Sequence, residues 1–324
     1  MATPATTSSY AEFPMHKDSK IFVAGHKGLV GSAIVRTLRG LGFDNLILRT
    51  RQELDLVRQC AVERFFSEHR PEYVFLAAAK VGGILANNTY PAEFLRDNVA
   101  IELNVIDAAY RNGARKLEFL GSSCIYPKFA PQPIKEEYLL TGELEPTNEW
   151  YAIAKIAGIK MAQAYRKQYG FNAISLMPTN LFGPGDNFDL ANSHVLPALI
   201  RKFHEAKTGG QPEAVVWGSG APRREFLYVD DLAEAAVKLM LDYDSPEIVN
   251  VGMGEDLTIR ELAGLIQDAV GFRGQIRFDL SKPDGTPQKL LDISRLKNLG
   301  WTPKTSLRDG IERTYRWYRT NTPD

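Results

Sequence analysis

The chain has few cysteines, no long apolar run and no excess of charge of either sign. Its two cysteines, Cys60 and Cys124, are too few for a framework of disulfide bonds, so we predict a reducing compartment, the cytoplasm. No apolar stretch reaches the roughly 18–20 residues of a membrane span, and no membrane partner is expected. Lys and Arg total 39, as do Asp and Glu, so nothing indicates a nucleic-acid partner. No metal site is predicted.

The remaining composition is that of an ordinary globular protein, with 44% hydrophobic and 24% charged residues. Residues 1–19 are rich in Ala, Thr and Ser. They lack the apolar core of a signal peptide and the arginines of a transit peptide. We therefore predict a disordered N-terminal tail over residues 1–19.

From residue 20 onward, short apolar runs alternate with longer amphipathic ones. This alternation predicts an α/β fold, a doubly wound parallel sheet of the Rossmann type with helices on both faces. The pattern loosens after residue 178, where loops become more frequent. We predict a nucleotide-binding domain over residues 20–178 and a mainly substrate-binding, smaller lobe over residues 179–324. Some of its segments, such as residues 248–251, are expected to return to the main sheet.

A glycine-rich turn follows the first predicted strand and opens the first predicted helix. Its GxxGxxG spacing permits a tight turn, close approach of the backbone to a pyrophosphate, and close packing of the helix on the strand. Free N–H groups at the helix N-terminus favour phosphate binding. We predict dinucleotide contacts from all seven residues of this turn: Gly25, His26, Lys27, Gly28, Leu29, Val30 and Gly31.

The end of the second predicted strand distinguishes the two nicotinamide dinucleotides. NAD-binding proteins usually place Asp or Glu there to bind the ribose hydroxyls, but here the end of the strand reads Leu48-Arg49-Thr50-Arg51 and has no acidic residue before Glu53. Arg51, together with Lys27, suits a 2′-phosphate. We therefore predict NADP(H) as the cofactor of the first domain. Further cofactor contacts are predicted at Asp55, Leu56, Leu120, Lys155, Pro178, Thr179, Asn180, Leu181 and His194.

A YxxxK pattern, from Tyr151 to Lys155, stands near the start of a long predicted helix, where this spacing puts both side chains on one face. We expect the Lys155 ammonium to lower the pKa of the Tyr151 phenol, which makes it a usable general acid, and to hold the nicotinamide ribose. Ser122 follows the fourth predicted strand, at the edge where doubly wound sheets bind ligands, and can hydrogen-bond a substrate carbonyl. Ser123 is an alternative for this role.

With these motifs the sequence resembles the extended short-chain dehydrogenases/reductases and, within them, the GDP-L-fucose synthase family. The resemblance runs from about residue 21 to about residue 317. It implies an NADPH-dependent enzyme that converts GDP-4-keto-6-deoxy-D-mannose to GDP-L-fucose by 3,5-epimerisation and then 4-keto reduction. Its specific stretches include AGHKGLVGSAIVR from Ala24, LGSSCIYP from Leu120, LEPTNEWYAIAKIAGIK from Leu144, MPTNLFGPGDNF from Met177 and KPDGTPQKLLD from Lys282.

The resemblance also implies roles that general cofactor binding does not explain. Cys124 is implied as the base and His194 as the acid of the epimerisation, while Tyr151 donates the proton during reduction. The family habit implies a homodimer in which two long helices, near residues 94–110 and 151–169, form a four-helix seam. Four residues are implied at the nucleotide end of the substrate: Lys202, Trp217, Arg224 and Lys289.

Three other functions remain as alternatives. A plain 4-keto reductase giving a GDP-6-deoxy-D-hexose would share the serine and the YxxxK pair, but it would not need Cys124 and His194 together. A UDP-hexose 4-epimerase recycles bound NAD, and the basic Arg51 disfavours it. A non-catalytic NADP-binding redox sensor typically lacks the Tyr or the Lys of YxxxK, and both are present here.

Overall fold

The structure is a computed structural model that describes residues 15–190, 192–282 and 284–322. Its strands are, in chain order, β1 (Ile21–Ala24), β2 (Leu46–Ile47), β3 (Tyr73–Leu76), β4 (Lys116–Leu120), β5 (Asn172–Pro178), β6 (Asn180–Phe182), β7 (Glu213–Trp217), β8 (Arg223–Arg224), β9 (Phe226–Tyr228), β10 (Val249–Val251), β11 (Leu257–Thr258), β12 (Gln275–Asp279) and β13 (Gln288–Lys289). Its helices are α1 (Leu29–Gly40), α2 (Gln59–His69), α3 (Ile84–Thr89), α4 (Pro91–Arg111), α5 (Glu149–Tyr169), α6 (Val195–Thr208), α7 (Val229–Asp242), α8 (Ile259–Val270), α9 (Ser294–Asn298) and α10 (Leu307–Asn321).

Six strands form one parallel sheet in the order β10, β5, β4, β3, β1, β2. Helices α2, α4 and α5 pack on one face through one apolar core, and α1 and α7 pack on the other face through a second core. Because both faces are covered, strands such as β1 and β3 are apolar and buried along their whole length. The predicted doubly wound α/β fold is confirmed.

Among the described residues, the C-terminal part of the chain forms three small sheets: β8 pairs with β11 on one side and β13 on the other, β12 pairs with β7, and β6 pairs with β9. A third apolar core joins α6, α8 and α10 to these short strands. Two elements of this part belong instead to the main domain: β10 pairs in parallel with β5 of the six-stranded sheet, and α7 packs on α1 over one face of that sheet. The chain therefore crosses back from the smaller lobe to complete the main domain.

The structure places the end of the predicted tail against the main domain. Met15 is 7% exposed within the core that holds α1 and α7, and Ser19 is 4% exposed. The Lys17 ammonium lies 3.9 Å from the centre of the Phe43 ring. For residues 15–19 the prediction of a disordered tail is therefore wrong, because Met15 supplies apolar surface to the core. Residues 1–14 lie outside the described residues.

Within the described ranges, no helix has both the length and the apolar character needed to cross a membrane. Both cysteines are free thiols, Cys60 exposed and Cys124 buried. The same ranges contain no group of three or more His, Cys, Asp or Glu residues arranged to hold a metal ion.

Candidate active site

A cavity of about 710 Å³ opens beyond the carboxyl ends of β1, β3, β4 and β5. β1 lies between β2 and β3. The crossover that follows β1 leads to β2 on one side, whereas the later crossovers lead to β3, β4 and β5 on the other side, so the strand order reverses beside β1. Doubly wound sheets bind ligands at such a reversal. The volume falls within the range of small-molecule and cofactor sites. The predicted site residues that line it are Gly25, His26, Lys27, Gly28, Leu29, Val30, Arg51, Asp55, Leu56, Leu120, Ser122, Tyr151, Lys155, Pro178, Thr179, Asn180, Leu181 and His194.

The glycine turn brings backbone, without side chains, to the floor of this cavity. Gly25 has φ +82°, and a Cβ there would lie 2.9 Å from the Ala77 carbonyl oxygen. A Cβ on Gly31 would lie 2.2 Å from the Gly25 oxygen, so Gly31 allows α1 to pack closely instead of lining the cavity. No side chain caps the start of α1, and its first turn has no acidic residue. The helix N-terminus is therefore open to an anion.

Three buried polar atoms on the cavity wall fit a polar ligand. His26 Nδ1, Asp186 Oδ2 and Ser193 Oγ have no hydrogen-bond partner among the described residues, and all three residues line the cavity. Buried polar groups nearly always have a partner in the functional state. Together with the glycine turn, these atoms show that the residues present suit a dinucleotide.

The charges beside the adenosine end of the cavity favour a phosphate over free ribose hydroxyls. Lys27, Arg49 and Arg51 all line the cavity. The nearby acid, Glu53, does not line the cavity, and its carboxylate accepts hydrogen bonds of 2.7 and 2.8 Å from the backbone N–H and hydroxyl of Thr50. The three cations of the lining match the 2′-phosphate of NADP(H).

Tyr151 and Lys155 lie in the first turns of α5, and both line the cavity. The Lys155 ammonium is 2.9 Å from the Leu120 carbonyl oxygen, 3.4 Å from Oε1 of Glu102 and 5.8 Å from the centre of the Tyr151 ring. Burial raises the pKa of Tyr151 well above its ordinary value, and the charges of Cys124 and Glu102 add to the rise. The expected lowering of the Tyr151 pKa by Lys155 is therefore wrong for this structure.

Ser122 begins the short turn that carries the candidate base. Its hydroxyl oxygen accepts a hydrogen bond of 3.3 Å from the Cys124 backbone N–H. Ser122 and Ser123 both line the cavity, so either can meet a carbonyl, but Cys124 is 7% exposed and lies outside the lining. Burial raises the pKa of the Cys124 thiol, and the positive charge of Lys289 is the largest opposing influence.

His194 stands at the residue before α6 and faces the same cavity as Ser122 and Tyr151. Desolvation by the surrounding wall lowers the pKa of His194. The imidazole is accordingly mostly neutral near neutral pH and must take up a proton before it can act as an acid.

The four residues implied at the nucleotide end lie outside this cavity and form two pairs. Arg224 and Lys289 are register partners in the parallel strands β8 and β13. The Lys202 ammonium lies 4.6 Å from the centre of the Trp217 ring, which is 55% exposed. Lys282, which the sequence had not indicated, lies 5.4 Å from the same ring. The pairs offer cations for phosphates and an aromatic face for a base.

Sequence reasoning missed two groups of lining residues. One is the segment after β3, residues 77–82, which Asn98 holds through hydrogen bonds of 2.7 Å from the Lys80 N–H and 3.0 Å to the Lys80 oxygen. The rule that ligands bind at the carboxyl ends of parallel strands could have identified it. The other is the loop with Asp186 and Ser193. Burial raises the pKa of Asp186 to about 7, which no local sequence signal indicates.

Known proteins resemble this chain over almost its whole length. Residues 21–252 match the NAD dependent epimerase/dehydratase family. GDP-L-fucose synthase 1 of Arabidopsis thaliana is 66% identical over 305 residues, 94% of each protein. A solved GDP-mannoheptose C4 reductase from Campylobacter jejuni with NADP bound is 43% identical, with a TM-score of 0.88 over 94% of this chain and 99% of that one. A GDP-L-fucose synthetase from Naegleria fowleri bound to NADP is 31% identical, with a TM-score of 0.88 over 95% and 96% of the two chains.

Proposed function

The chain belongs to the NAD dependent epimerase/dehydratase family and, within it, to the GDP-L-fucose synthases. From this premise we propose that it converts GDP-4-keto-6-deoxy-D-mannose to GDP-L-fucose with NADPH. The observation that carries the proposal is the convergence of Ser122, Tyr151, Lys155 and His194 on one cavity beside the glycine turn. That cavity unites a dinucleotide site with groups that can bind a ketone and move protons.

For the reduction, a dinucleotide held at the glycine turn and by Lys155 would supply the hydride that C4 of the sugar receives. Ser122, or its neighbour Ser123, donates a hydrogen bond to the C4 oxygen and holds the carbonyl in place. Tyr151 donates its proton to the same oxygen as the alcohol forms. Burial raises the pKa of Tyr151, so the phenol is protonated near neutral pH but is a weak acid unless its phenolate is stabilised. The Lys155 ammonium then stabilises the phenolate that remains.

In the epimerisation, the C4 ketone acidifies the C–H bonds at C3 and C5. Inversion at each carbon requires that a proton be removed from one face and another be returned to the opposite face. Cys124 removes the proton as a thiolate, the enolate oxygen is held by Ser122, and protonated His194 returns a proton. Before the second inversion, Cys124 must release its proton and His194 must take up a new one.

The position of Cys124 sets a condition on this mechanism. Its turn contributes Ser122 and Ser123 to the cavity, while the thiol itself stays outside the lining. The sugar must therefore reach the turn from the side on which Lys289 acts on the thiol. On that side, Arg224 beside Lys289 is suited to the diphosphate, and Trp217 with Lys202 is suited to the base.

Incubation of the purified chain with GDP-4-keto-6-deoxy-D-mannose and NADPH, followed by NMR of the products, tests the function. We expect GDP-L-fucose, with deuterium at C3 and C5 when the reaction runs in deuterated water. A GDP-6-deoxy-D-hexose without inversion would identify a plain 4-keto reductase instead. Absence of NADPH oxidation, with NADPH still bound, would favour the redox sensor.

We further propose a cytoplasmic homodimer joined through α4 and α5. Both cysteines are free thiols, which suits a reducing compartment. Leu103 on α4 and Ile153 and Tyr169 on α5 are 46%, 37% and 45% exposed, and these apolar side chains would be covered by a four-helix seam. Light scattering of the purified chain measures the oligomeric state, and a monomeric mass would exclude the dimer.

A further inference from the structure

Behind Lys155 lies a second buried charge, Glu102 of α4. Glu102 is 1% exposed and Lys155 is 2% exposed, and Oε1 of Glu102 lies 3.4 Å from the Lys155 ammonium. Lys155 lines the cavity, whereas Glu102 does not. The carboxylate therefore contacts the ammonium from the side away from any cofactor or substrate.

The helix that carries Lys155 makes room for this carboxylate at Gly158. A Cβ on Gly158 would lie 2.8 Å from Oε2 of Glu102 and 2.5 Å from the Phe119 ring. Glycine within a helix is destabilising relative to alanine. The absence of a side chain at this position of α5 is thus explained by the space that the Glu102 carboxylate and the Phe119 ring occupy.

The contacts of the ammonium determine its orientation. A lysine ammonium has three N–H donors. One donates to the Leu120 carbonyl oxygen at 2.9 Å. The Glu102 carboxylate forms an ion pair with the ammonium at 3.4 Å, and the Phe119 ring, 4.6 Å from the nitrogen, covers another side. The remaining side of the ammonium is the side of the cavity, which Lys155 and Tyr151 both line.

Stability alone does not account for this buried pair. Replacing a buried ion pair by apolar residues of similar volume is often neutral or stabilising, whereas removing one partner leaves an uncompensated charge and is strongly destabilising. Burial raises the pKa of Glu102 to about 7, and the charge of Lys155 opposes that rise. The ammonium of Lys155 is therefore the charge that favours the ionised form of Glu102 at this buried position.

We propose that Glu102 is a positioning residue that compensates the buried Lys155 ammonium and orients it toward the cavity, without touching cofactor or substrate. The inference rests on the proposed function, in which Lys155 stabilises the Tyr151 phenolate during reduction.

The test compares Glu102→Gln with a matched control, Glu118→Gln. Glu118 is a fully buried carboxylate of β4 whose charged neighbour is Lys116, and it does not line the cavity. We expect kcat for reduction to fall about 10- to 100-fold in Glu102→Gln, with KM for the GDP-sugar within about twofold. In Glu118→Gln, kcat per folded site should stay within about twofold. Sites are counted by NADPH binding, so that loss of folded protein does not enter kcat.

A double-mutant cycle with Lys155→Met separates a positioning role from a merely structural one. If Glu102 acts through Lys155, adding Glu102→Gln to Lys155→Met should not lower kcat further. In thermal unfolding without cofactor, the double variant should be more stable than Glu102→Gln, because no uncompensated ammonium remains. An unchanged kcat in Glu102→Gln, or a further fall of kcat in the Lys155→Met background, overturns the proposal.

Two further outcomes are distinguishable. If Glu102→Gln does not fold, Glu102→Asp keeps the charge and withdraws the carboxylate, and its kcat should fall about tenfold; an unchanged kcat in that variant also overturns the proposal. If the unmutated chain does not reduce the GDP-sugar, the proposed function fails. The unfolding temperatures of the cycle then still decide whether Glu102 and Lys155 depend on each other.

Discussion

Tyr151 and Cys124 are the two proposed proton-transfer groups beside one turn of the structure; Tyr151 is partly buried and Cys124 is buried, and desolvation raises the pKa of each. For Tyr151, the proposed proton donor, the phenol is protonated near neutral pH, as its role requires, but the higher pKa makes it a weaker acid. For Cys124, the proposed base, the higher pKa reduces the fraction of thiolate, the form that its role requires. The same desolvation therefore leaves Tyr151 in the protonation state that the proposed reduction needs and Cys124 in the state that the proposed epimerisation cannot use.

The two groups also differ in what supports them. Tyr151 lies on α5, a helix of 21 residues, one turn before Lys155, whose ammonium is held by Leu120 and Glu102. Cys124 lies on a turn of three residues, and its main cationic influence, Lys289, comes from the two-residue strand β13. The proposed proton donor of the reduction therefore lies on a long helix, whereas the proposed base of the epimerisation and the cation that acts on it lie on short elements from distant parts of the chain.

Replacing Cys124, the proposed base, should separate the epimerisation from the reduction more strongly than any other change. Cys124→Ser keeps the size of the side chain but gives a far weaker base, so epimerisation should slow by about 10²–10⁴-fold. Reduction does not need the thiol, and the variant should release a GDP-6-deoxy-D-hexose. NMR of the products and deuterium incorporation at C3 and C5 measure both effects. If GDP-L-fucose still forms at the original rate, Cys124 is only a packing residue.

Removing Tyr151, the proposed proton donor, should give the opposite result, with reduction impaired and proton exchange retained. Tyr151→Phe keeps the ring and its contacts but removes the phenol hydroxyl. Because no proton donor then remains at this position, the rate of hydride transfer, followed by NADPH absorbance, should fall by at least about 10²-fold. Exchange of the C3 and C5 protons with deuterated water should continue, because Cys124 and His194 are intact. Normal reduction by this variant would remove Tyr151 from the mechanism, and loss of exchange would mean that the two halves share the phenol.

The cofactor side can be altered without touching either proton-transfer group. Arg51→Ala removes one cation from the cavity wall and should narrow the preference in kcat/KM for NADPH over NADH about 10- to 100-fold, equivalent to about 1.5–3 kcal/mol. Arg58→Ala is the matched control, since Arg58 also lies beside Asp55, with Nε 3.9 Å from Oδ2, but does not line the cavity. Equal use of both cofactors by the unmutated chain would contradict the 2′-phosphate site.

The pH dependence of proton exchange at C3 and C5 measures the ionisation of the Cys124 thiol most directly. Of the two groups proposed for epimerisation, Cys124 and His194, only the thiol can titrate in His194→Gln. Because burial raises the Cys124 pKa, the thiol is mostly protonated near neutral pH, and the thiolate fraction rises with pH. Exchange into deuterated water should therefore rise about tenfold for each pH unit between about pH 6 and about pH 8.

Lys289→Met, made in the His194→Gln background, tests whether the charge of Lys289 controls the ionisation of the thiol. The charge of Lys289 lowers the Cys124 pKa, so its removal should slow exchange at every pH in that interval while leaving the slope unchanged. A rate that does not vary with pH in His194→Gln would show that the base is a group other than the thiol.

The sequence by itself determined the features that depend on neighbouring residues. The glycine turn, the YxxxK motif and the cation-rich segment after β2 are each contained within a few residues. Their predicted site residues all line the observed cavity apart from Gly31. Helices and parallel strands follow from local apolar periodicity, so the doubly wound fold could be predicted with them. The carboxyl ends of the strands then indicated which residues would meet.

Only the tertiary structure decided the protonation of the site, because pKa values depend on burial and on charges distant in the sequence. It raised the pKa of Tyr151, where the YxxxK spacing had predicted a lower one, and it kept Cys124 outside the cavity. It also paired Glu102 with Lys155, and Arg224 with Lys289, from separate elements. No local pattern contains these contacts, since each is made by the packing of one element on another.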